Sequence, residues 1–236
     1  MIHAESRGPV HVVTIDRPER RNALDRAAVD DLLAAVSAVP EGTRALVLTG
    51  AGGHFCAGAD LTGVEDEAFT TQLGLLLDRL RTLPLVTLAA ADGAALGGGT
   101  QLAVACDLRV ATPAARFGIP AARLGLAVDA WTVRRLGRLA GQGPARAMLL
   151  AADVLTGEDA YRLGLVQRLG TLDDALAWAE EIAALAPLSI QAHKAALEAD
   201  SEAEVEAALA RAWASEDARE GVAAFRERRP PAFRGR

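Results

Sequence analysis

The chain has 236 residues, of which 51% are hydrophobic and only 4% aromatic, and its formal net charge is −6. This length and composition fit one or two packed domains with an aliphatic core. The net negative charge argues against general nucleic-acid binding, because such binding needs positive charge to neutralise phosphates. No apolar run reaches the roughly 18 residues of a membrane span, and the first residues lack a signal-peptide pattern. The sequence therefore predicts a soluble, cytoplasmic protein.

Strands and helices are predicted to alternate through the first half of the chain. Strands are expected where apolar β-branched residues run together, and helices where apolar residues recur every three or four positions. In chain order these are a strand over 10–16, a loop over 17–22, a helix with Ala28, Leu32, Ala35 and Val39 on one side, a strand over 45–49, a helix over 67–82, a strand over 85–90, a helix over 102–105 and a strand over 108–111. The alternation predicts an α/β layered fold with ligand sites at the carboxyl ends of the strands.

The second half, from about Asp129 onward, is predicted to be mostly helical. Two stretches that begin at Thr156 and Ser201 resemble capping boxes at helix N-termini. A short strand is predicted over residues 165–168. Pro187 is expected to separate an α/β body, residues 1–186, from a C-terminal helical segment, residues 187–236.

Two glycine-rich turns each follow a predicted strand. The first spans residues 53–61, and the second spans residues 92–101 and runs into an apolar helix. Glycine allows positive φ angles and close approach of the backbone to a ligand, and the N–H groups at a helix start lack intrahelical partners. Two such turns can each supply one N–H to a single carbonyl oxygen, which is how an oxyanion hole is built.

The sequence lacks the motifs of several other kinds of enzyme. The sequence has no G-x-S-x-G elbow, no H-E-x-x-H zinc motif, and no P-loop in its glycine run. The two cysteines, Cys56 and Cys106, have no metal-ligand spacing and are interpreted as small buried side chains. The basic end, residues 226–236, carries five arginines against one glutamate, which is typical of a solvated basic tail.

Short blocks of residues, in a fixed order, carry a family resemblance. They lie at residues 17–24, 55–61, 92–99, 106–109, 117–120, 124–126, 155–160, 164–166 and 220–225. With these blocks the chain resembles the crotonase superfamily of enoyl-CoA hydratases and isomerases over nearly its whole length. The resemblance implies an α/β fold with a crotonase-type ββα spiral core over 1–186. It also implies that residues 187–236 form a helical trimerisation segment, in a homotrimer or a dimer of trimers.

The resemblance also implies the ligand and its contacts. The ligand is a coenzyme A thioester, with no tightly bound cofactor and no metal, and the oxyanion-hole amides are those of Ala59 and Gly98. The adenosine end of coenzyme A is held by the loop after the first strand and by the segment around the alanine-rich turn. A C-terminal aromatic and a basic residue, often from a neighbouring subunit, complete the pocket. The positions concerned are Arg20, Arg21, Leu24, Ala57, Asp60, Phe225 and Arg228.

The chain departs from the hydratase pattern at both positions where a glutamate is expected. Gln101 and Ala121 stand there, and neither can transfer a proton near neutral pH. Asp129 is the nearby acid that remains, either as a helix N-cap or as a catalytic group. Two hypotheses follow. The first is an acyl-CoA-binding protein of fatty-acid and lipid metabolism with weak or absent hydratase activity. The second is an active crotonase-type enzyme, a hydratase, isomerase or other acyl-CoA enzyme, that uses Asp129.

Overall fold

A computed structural model describes residues 1–60, 67–198 and 201–236. Within them the strands are β1 Ile2–Arg7, β2 Val10–Ile15, β3 Ala45–Gly50, β4 Val86–Ala91, β5 Ala94–Leu96, β6 Leu108–Ala111, β7 Arg116–Gly118, β8 Val154–Thr156 and β9 Arg168–Leu169. The helices are α1 Arg26–Ser37, α2 Glu67–Thr82, α3 Gly98–Ala105, α4 Ala130–Ala140, α5 Gln142–Leu150, α6 Gly157–Arg162, α7 Leu172–Ala183, α8 Pro187–Glu198, α9 Glu202–Ala214 and α10 Glu216–Glu227. This mixture confirms the predicted α/β class. Leu61, which ends the first glycine-rich turn in the sequence, lies outside the described residues.

The strands form a six-stranded and a three-stranded sheet. The larger has the order β1-β2-β3-β4-β6-β9, in which only β1 runs antiparallel to its neighbour, and the smaller has the order β5-β7-β8. The larger sheet is covered on both faces, so its central strands are apolar on both sides. Val13 and Leu48 belong to the core cluster that contains α1, α2 and α3, whereas Val12 and Val47 pack with α7 on the other face.

Most strands and helices of the first half lie where the sequence predicts them. The helix over 67–82 and the strand over 108–111 have the predicted bounds. The strands predicted over 10–16 and 45–49 differ by one residue at one end, and the strand predicted over 85–90 is shifted by one residue. Strand β1 was not predicted, because its residues are mostly polar and exposed and it forms by pairing with β2. The predicted strand over 165–168 is wrong by about three residues, since pairing with β6 selects Arg168–Leu169.

The two predicted capping boxes have different outcomes. Thr156 caps α6, since its Oγ1 accepts the Asp159 N–H at 3.0 Å. Ser201 precedes α9, but its side chain makes no capping hydrogen bond. The sequence pattern is the same in both places, so local spacing alone did not distinguish them.

Buried ion pairs join α8 to the rest of the fold. The Lys194 ammonium group donates to the Asp107 carboxylate at 2.7 Å and to the Leu85 carbonyl at 3.0 Å. Arg135 of α4 pairs with Glu198 at the end of α8. A domain boundary between residues 186 and 187 stays a prediction, although α8 does begin at Pro187.

The residues after α10 fold back along that helix. Asp217, which is buried, accepts the N–H groups of Arg234 and Gly235, and the Glu220 carboxylate pairs with both terminal nitrogens of Arg229. Arg236 pairs with Glu216. The basic end is therefore not simply a solvated tail, because two of its five arginines are neutralised within the chain.

We expect the Glu220–Arg229 pair to make stability depend on pH in the acid range. Arg229, followed by the Ala232 N–H, lowers the pKa of Glu220 from 4.5 to about 2. A carboxylate whose pKa is lowered by folding stabilises the folded state above its unfolded pKa. This stabilisation is lost as the pH falls from about 4.5 to about 2. Urea unfolding at pH 6 and pH 3 should therefore show a smaller loss of stability in Glu220→Gln than in the wild type.

Glu206→Gln is the matched control for this prediction. Glu206 is an exposed glutamate on α9 for which the described residues provide no ion pair. The loss of stability between pH 6 and pH 3 should be the same in Glu206→Gln as in the wild type. Equal losses in Glu220→Gln and the wild type would contradict the prediction.

Candidate functional site

The first glycine-rich turn is held in an extended conformation beside Leu24. The Leu24 N–H donates to the Gly58 carbonyl at 2.8 Å, and the Asp60 N–H donates to the Leu24 carbonyl at 2.7 Å. Successive peptide groups of an extended segment point to opposite sides, so the N–H of Ala59 faces away from Leu24. Within the described part of the chain this N–H has no acceptor.

The second glycine-rich turn contains a short strand as well as the start of a helix. Strand β5 pairs with β7, which the alanine-rich sequence did not indicate. Gly97 has φ +52° and donates its N–H to the Gly118 carbonyl at 2.8 Å. Helix α3 then begins at Gly98, four residues earlier than predicted. The Gly98 N–H belongs to the first turn of the helix, where no intrahelical acceptor exists, and the described residues supply none.

The two free N–H groups lie close together. A Cβ atom placed on Gly98 would be 3.6 Å from the Ala59 nitrogen, and one on Gly58 would be 3.6 Å from the Gly98 nitrogen. Both turns line the same cavity. One ligand oxygen can therefore accept from both amides, which is the arrangement that stabilises developing negative charge on a carbonyl.

Gly99 lets the two turns pack this closely. A Cβ atom there would lie 2.0 Å from the Cys56 carbonyl oxygen, and the Cys56 main chain is fixed by hydrogen bonds to β5. We expect Gly99→Ala to lower the free energy of unfolding by about 3 kcal/mol or more, because backbone must move to relieve the overlap. Gly143→Ala is the control, because no atom lies within 4 Å of the added methyl group. It should be neutral or slightly stabilising. Urea unfolding of both variants tests this, and similar stabilities would contradict it.

The cavity beside the amides has a volume of about 340 Å³ and is mainly apolar. Its lining comes from the two turns, from one side of α2, and from the segment between β7 and α4. The lining residues of α2 and of that segment are Phe69, Thr70, Leu73, Gly74, Leu77, Pro120, Ala121, Leu124, Leu126, Ala127, Val128 and Asp129. The sequence predicted Leu73 and Leu77 to face inward, but it gave no signal that they line a cavity.

Gln101 lies one helical turn after Gly98 and is bound to the start of α4. Its Nε2 donates to Asp129 Oδ2 at 3.0 Å and to Thr132 Oγ1 at 3.1 Å. Thr132 in turn donates through Oγ1 and its N–H to Asp129, at 2.6 and 2.9 Å. Asp129 is thus the N-cap of α4, as one of the two sequence interpretations has it, and it also lines the cavity. The role of Thr132 as a partner of Gln101 and Asp129 was not predicted. Its position three residues after a capping aspartate was the signal in the sequence that could have indicated it.

Ala121 also lines the cavity, in a short 3₁₀ turn over Pro120–Leu124. It is partly buried and presents a methyl group to the cavity. The positions at which the family resemblance leads us to expect two glutamates therefore both line one cavity, with an amide at 101 and a methyl at 121.

Five residues predicted to hold coenzyme A lie in the first turn and in the neighbouring loop over 17–24. Arg20 pairs with Asp60 at 2.7 Å, and the Ala57 N–H donates to the Arg21 carbonyl at 3.0 Å. Leu24 is fully buried beneath them. Since Arg20 remains half exposed, its guanidinium group is available to a phosphate.

Phe225 and Arg228 are not joined to this group within the described chain. Phe225 is 86% exposed on α10, and Arg228 ends that helix with φ +55°. No hydrogen bond or ion pair among the described residues links either of them to Arg20 or Asp60. A single site that contains all seven predicted residues therefore stays a prediction.

Other potentially reactive groups are excluded by burial or by their partners. Burial raises the pKa of the Cys56 and Cys106 thiols to about 12, so both are protonated and unreactive near neutral pH. His54 accepts the Ala94 N–H through Nδ1 at 3.1 Å and so supports the second turn. In the described ranges, no group of three or more histidine, cysteine, aspartate or glutamate side chains is placed to hold a metal ion. No described helix is long and apolar enough to cross a bilayer.

Known proteins resemble this chain over nearly its whole length. Residues 5–236 match the family model described as enoyl-CoA hydratase/isomerase. A Mycobacterium tuberculosis protein named probable enoyl-CoA hydratase echA6 is 46% identical over 233 residues, which cover 96% of each chain. The 2,3-dehydroadipyl-CoA hydratase of Escherichia coli is 36% identical over 244 residues, also 96% of each chain.

Solved structures resemble the whole chain as well. The crystal structure of enoyl-CoA hydratase from Mycobacterium tuberculosis H37Rv superimposes with a TM-score of 0.87 at 35% identity and covers 100% of this chain and 99% of its own. A family protein from Hyphomonas neptunium gives a TM-score of 0.90 at 32% identity, with coverages of 100% and 98%. The chain therefore belongs to the enoyl-CoA hydratase/isomerase family of the crotonase superfamily.

Proposed function

We propose that this crotonase-family protein binds acyl-CoA thioesters in fatty-acid metabolism and hydrates enoyl-CoA weakly or not at all. The observation that carries the proposal is the pairing of two free amide N–H groups, at Ala59 and Gly98, with a cavity that has an amide and a methyl group at positions 101 and 121. The amides can hold a thioester carbonyl. Gln101 and Ala121 cannot activate a water or protonate a carbon, and each positioned acid or base is worth about 10²–10⁴ in rate.

The coenzyme A moiety is proposed to extend over the first turn, with Arg20 and Arg21 near its phosphates and the adenine close to Leu24, Ala57 and Asp60. Phe225 and Arg228 would complete this site from a neighbouring copy in a trimer or a dimer of trimers. The exposure of Phe225, at 86%, is compatible with this, because the ring is accessible to a neighbouring copy. The protein is proposed to be cytoplasmic and to need no tightly bound cofactor.

A second candidate function is an active crotonase-type enzyme in which Asp129 transfers the proton. Asp129 favours this because its carboxylate lines the same cavity as the two amides. Its three hydrogen bonds, from Gln101 and Thr132, argue for a structural role instead. Whether the reaction is enoyl-CoA hydration, isomerisation or another acyl-CoA reaction, Asp129 would be the group that transfers the proton.

One preparation of the protein can separate these functions. Acyl-CoA affinity is measured by calorimetry and crotonyl-CoA hydration by absorbance, with Asp129→Asn alongside, since asparagine caps a helix as well as aspartate does. Binding with negligible turnover in both proteins supports the binding function. Turnover that collapses in Asp129→Asn supports the enzyme. Hydration at rates typical of enzymes, unchanged in Asp129→Asn, would contradict both.

A further inference from the structure

One stretch of this acidic chain is strongly basic. Between Asp107 and Asp153 there are seven arginines and a single acid, Asp129, although the net charge of the whole chain is −6. Asp129 is turned to the cavity, where it accepts hydrogen bonds from Gln101 and Thr132. The stretch includes α4, α5 and the 3₁₀ turn before α4. Positive charge is therefore concentrated on one part of a molecule that is negative as a whole.

Four of the seven arginines are exposed around these helices. Arg109 and Arg135 are buried, and Arg116 lies apart on β7. The four others lie on the 3₁₀ turn, on α4 and on α5, and they are Arg123, Arg134, Arg138 and Arg146. Within the part of the chain that the structure describes, no carboxylate pairs with any of them. Their charges are therefore available to an anionic partner.

Exposed leucines lie beside these arginines. Leu150 is 74% exposed and follows Arg146 by four residues on α5, so that both side chains are on the same side of that helix. Leu124 is 54% exposed and adjoins Arg123, whose guanidinium group donates to the Ala152 carbonyl at 2.9 Å and so joins the 3₁₀ turn to the end of α5. We call the four arginines and these two leucines the basic face.

Helix α4 continues the basic face. Arg134 and Arg138 are four residues apart and lie on one side of α4. Helix α5 begins two residues after α4 ends and packs against it. The arginines are therefore on the solvent sides of two neighbouring helices, with apolar side chains among them.

The chemistry of the basic face favours an anionic lipid surface over a protein. A second copy of the chain that docked symmetrically on this face would bring arginines against arginines. Protein interfaces depend on buried aromatic side chains and are poor in leucine hot spots, whereas no aromatic residue is exposed anywhere in the fully described stretch 120–150. Arginines interspersed with leucines are typical of segments that lie on membranes, where the guanidinium groups meet lipid phosphates and the leucines enter the acyl boundary.

We propose that the basic face binds reversibly to the surface of a bilayer that contains anionic lipids. Attachment is peripheral, through the four arginines and the side chains of Leu124 and Leu150. Leu124 and Leu126 line the cavity and are also exposed, so the cavity reaches the protein surface at the edge of this face. The inference goes beyond the proposed function and does not depend on it, because the face lies outside the thioester site.

Flotation of the intact protein with vesicles tests the proposal. Vesicles made of equal parts of phosphatidylglycerol and phosphatidylcholine should carry the protein, whereas vesicles of phosphatidylcholine alone should not. Added salt should weaken the binding because it screens exposed charges. The double variant Arg134→Gln and Arg138→Gln should lower the partition coefficient about fivefold for each charge removed, and Leu150→Ala should lower it as well.

A second double variant, Arg211→Gln with Arg219→Gln, is the matched control. Both arginines are exposed, on α9 and α10, and no carboxylate among the described residues pairs with them. The control removes the same charge and should bind vesicles as the wild type does. Melting temperatures show whether all variants fold.

Several results would overturn the proposal. One is a wild-type protein that does not float with the anionic vesicles, and another is equal weakening in the two double variants, which would mean that only net charge matters. Retention on immobilised polyglutamate without vesicle binding would assign the face to an acidic protein instead. A changed oligomeric state in Arg134→Gln with Arg138→Gln would assign the face to a second copy. Acyl-CoA binding, measured separately by calorimetry, tests the proposed function alone.

Discussion

Carboxylates placed at positions 101 and 121 are expected to raise crotonyl-CoA hydration at least about a hundredfold, provided that Asp129 is neutralised at the same time. Gln101→Glu and Ala121→Glu supply the two acids at positions that line the cavity beside the free amides. A glutamate at 101 alone, however, would face Asp129 at about the 3.0 Å that now separates Gln101 Nε2 from Oδ2. Two carboxylates at that distance share a proton and cannot both be ionised.

The third substitution, Asp129→Asn, removes this conflict. An asparagine amide can donate to the new glutamate, and asparagine still caps α4. We therefore expect the triple variant to hydrate crotonyl-CoA faster than the double variant, and the double variant to exceed the wild type only slightly. Initial rates at saturating substrate measure this, with melting temperatures to show that all variants fold. Equal rates in the double and triple variants would mean that Asp129 does not control the charge of residue 101.

Gly98→Pro is expected to remove one of the two donors to the thioester carbonyl without breaking α3. Proline is accepted at the first position of a helix, and Gly98 occupies that position with an ordinary φ angle. The substitution deletes the N–H, and its ring enters the space that the carbonyl oxygen would occupy. Loss of a hydrogen bond to a buried acceptor should weaken acyl-CoA binding about tenfold or more. In a variant that turns over substrate, the rate should fall by about 10²–10³.

Infrared spectroscopy of an acyl-CoA labelled at the carbonyl carbon gives the decisive measurement. Hydrogen bonds from both amides should lower the stretching frequency of the bound carbonyl, and the shift should shrink in Gly98→Pro. Gly98→Ala is the matched control, since it keeps the N–H and its methyl would be no closer than 3.6 Å to the nearest atom outside its own helix and chain neighbours. A full shift in Gly98→Pro would show that the carbonyl does not bind at these amides.

The sequence predicted the parts of this site that depend on local patterns. Glycines after apolar strands indicate turns whose backbone can approach a ligand, and Asp129 before an amphipathic run indicates a helix N-cap. Both features are present. Strand β5 could not be predicted, because three small apolar residues have no strand pattern of their own and the strand exists only through its pairing with β7.

The hydrogen bonds that fix the side chain of Gln101 join distant parts of the sequence. Gln101 and Thr132 are 31 residues apart, and their hydrogen bond depends on how α3 and α4 pack. The sequence shows that a proton-transferring group is missing at position 101, but it does not show that the amide there is bound to Asp129 and Thr132. The approach of Ala59 to Gly98 is likewise a product of the tertiary fold, because it depends on the close packing of the two turns that Gly99 allows.

The burial of Lys194 matters for a protein that would hold activated acyl groups. It is the single lysine of the chain, it is 8% exposed, and its ammonium group is bound to Asp107. A protonated amine in an ion pair is a poor nucleophile, so thioesters released near the surface meet no free lysine side chain to acylate. Arginine supplies the remaining basic groups and stays protonated at all physiological pH values. The side chains of the molecule therefore offer no free amine to its own proposed cargo.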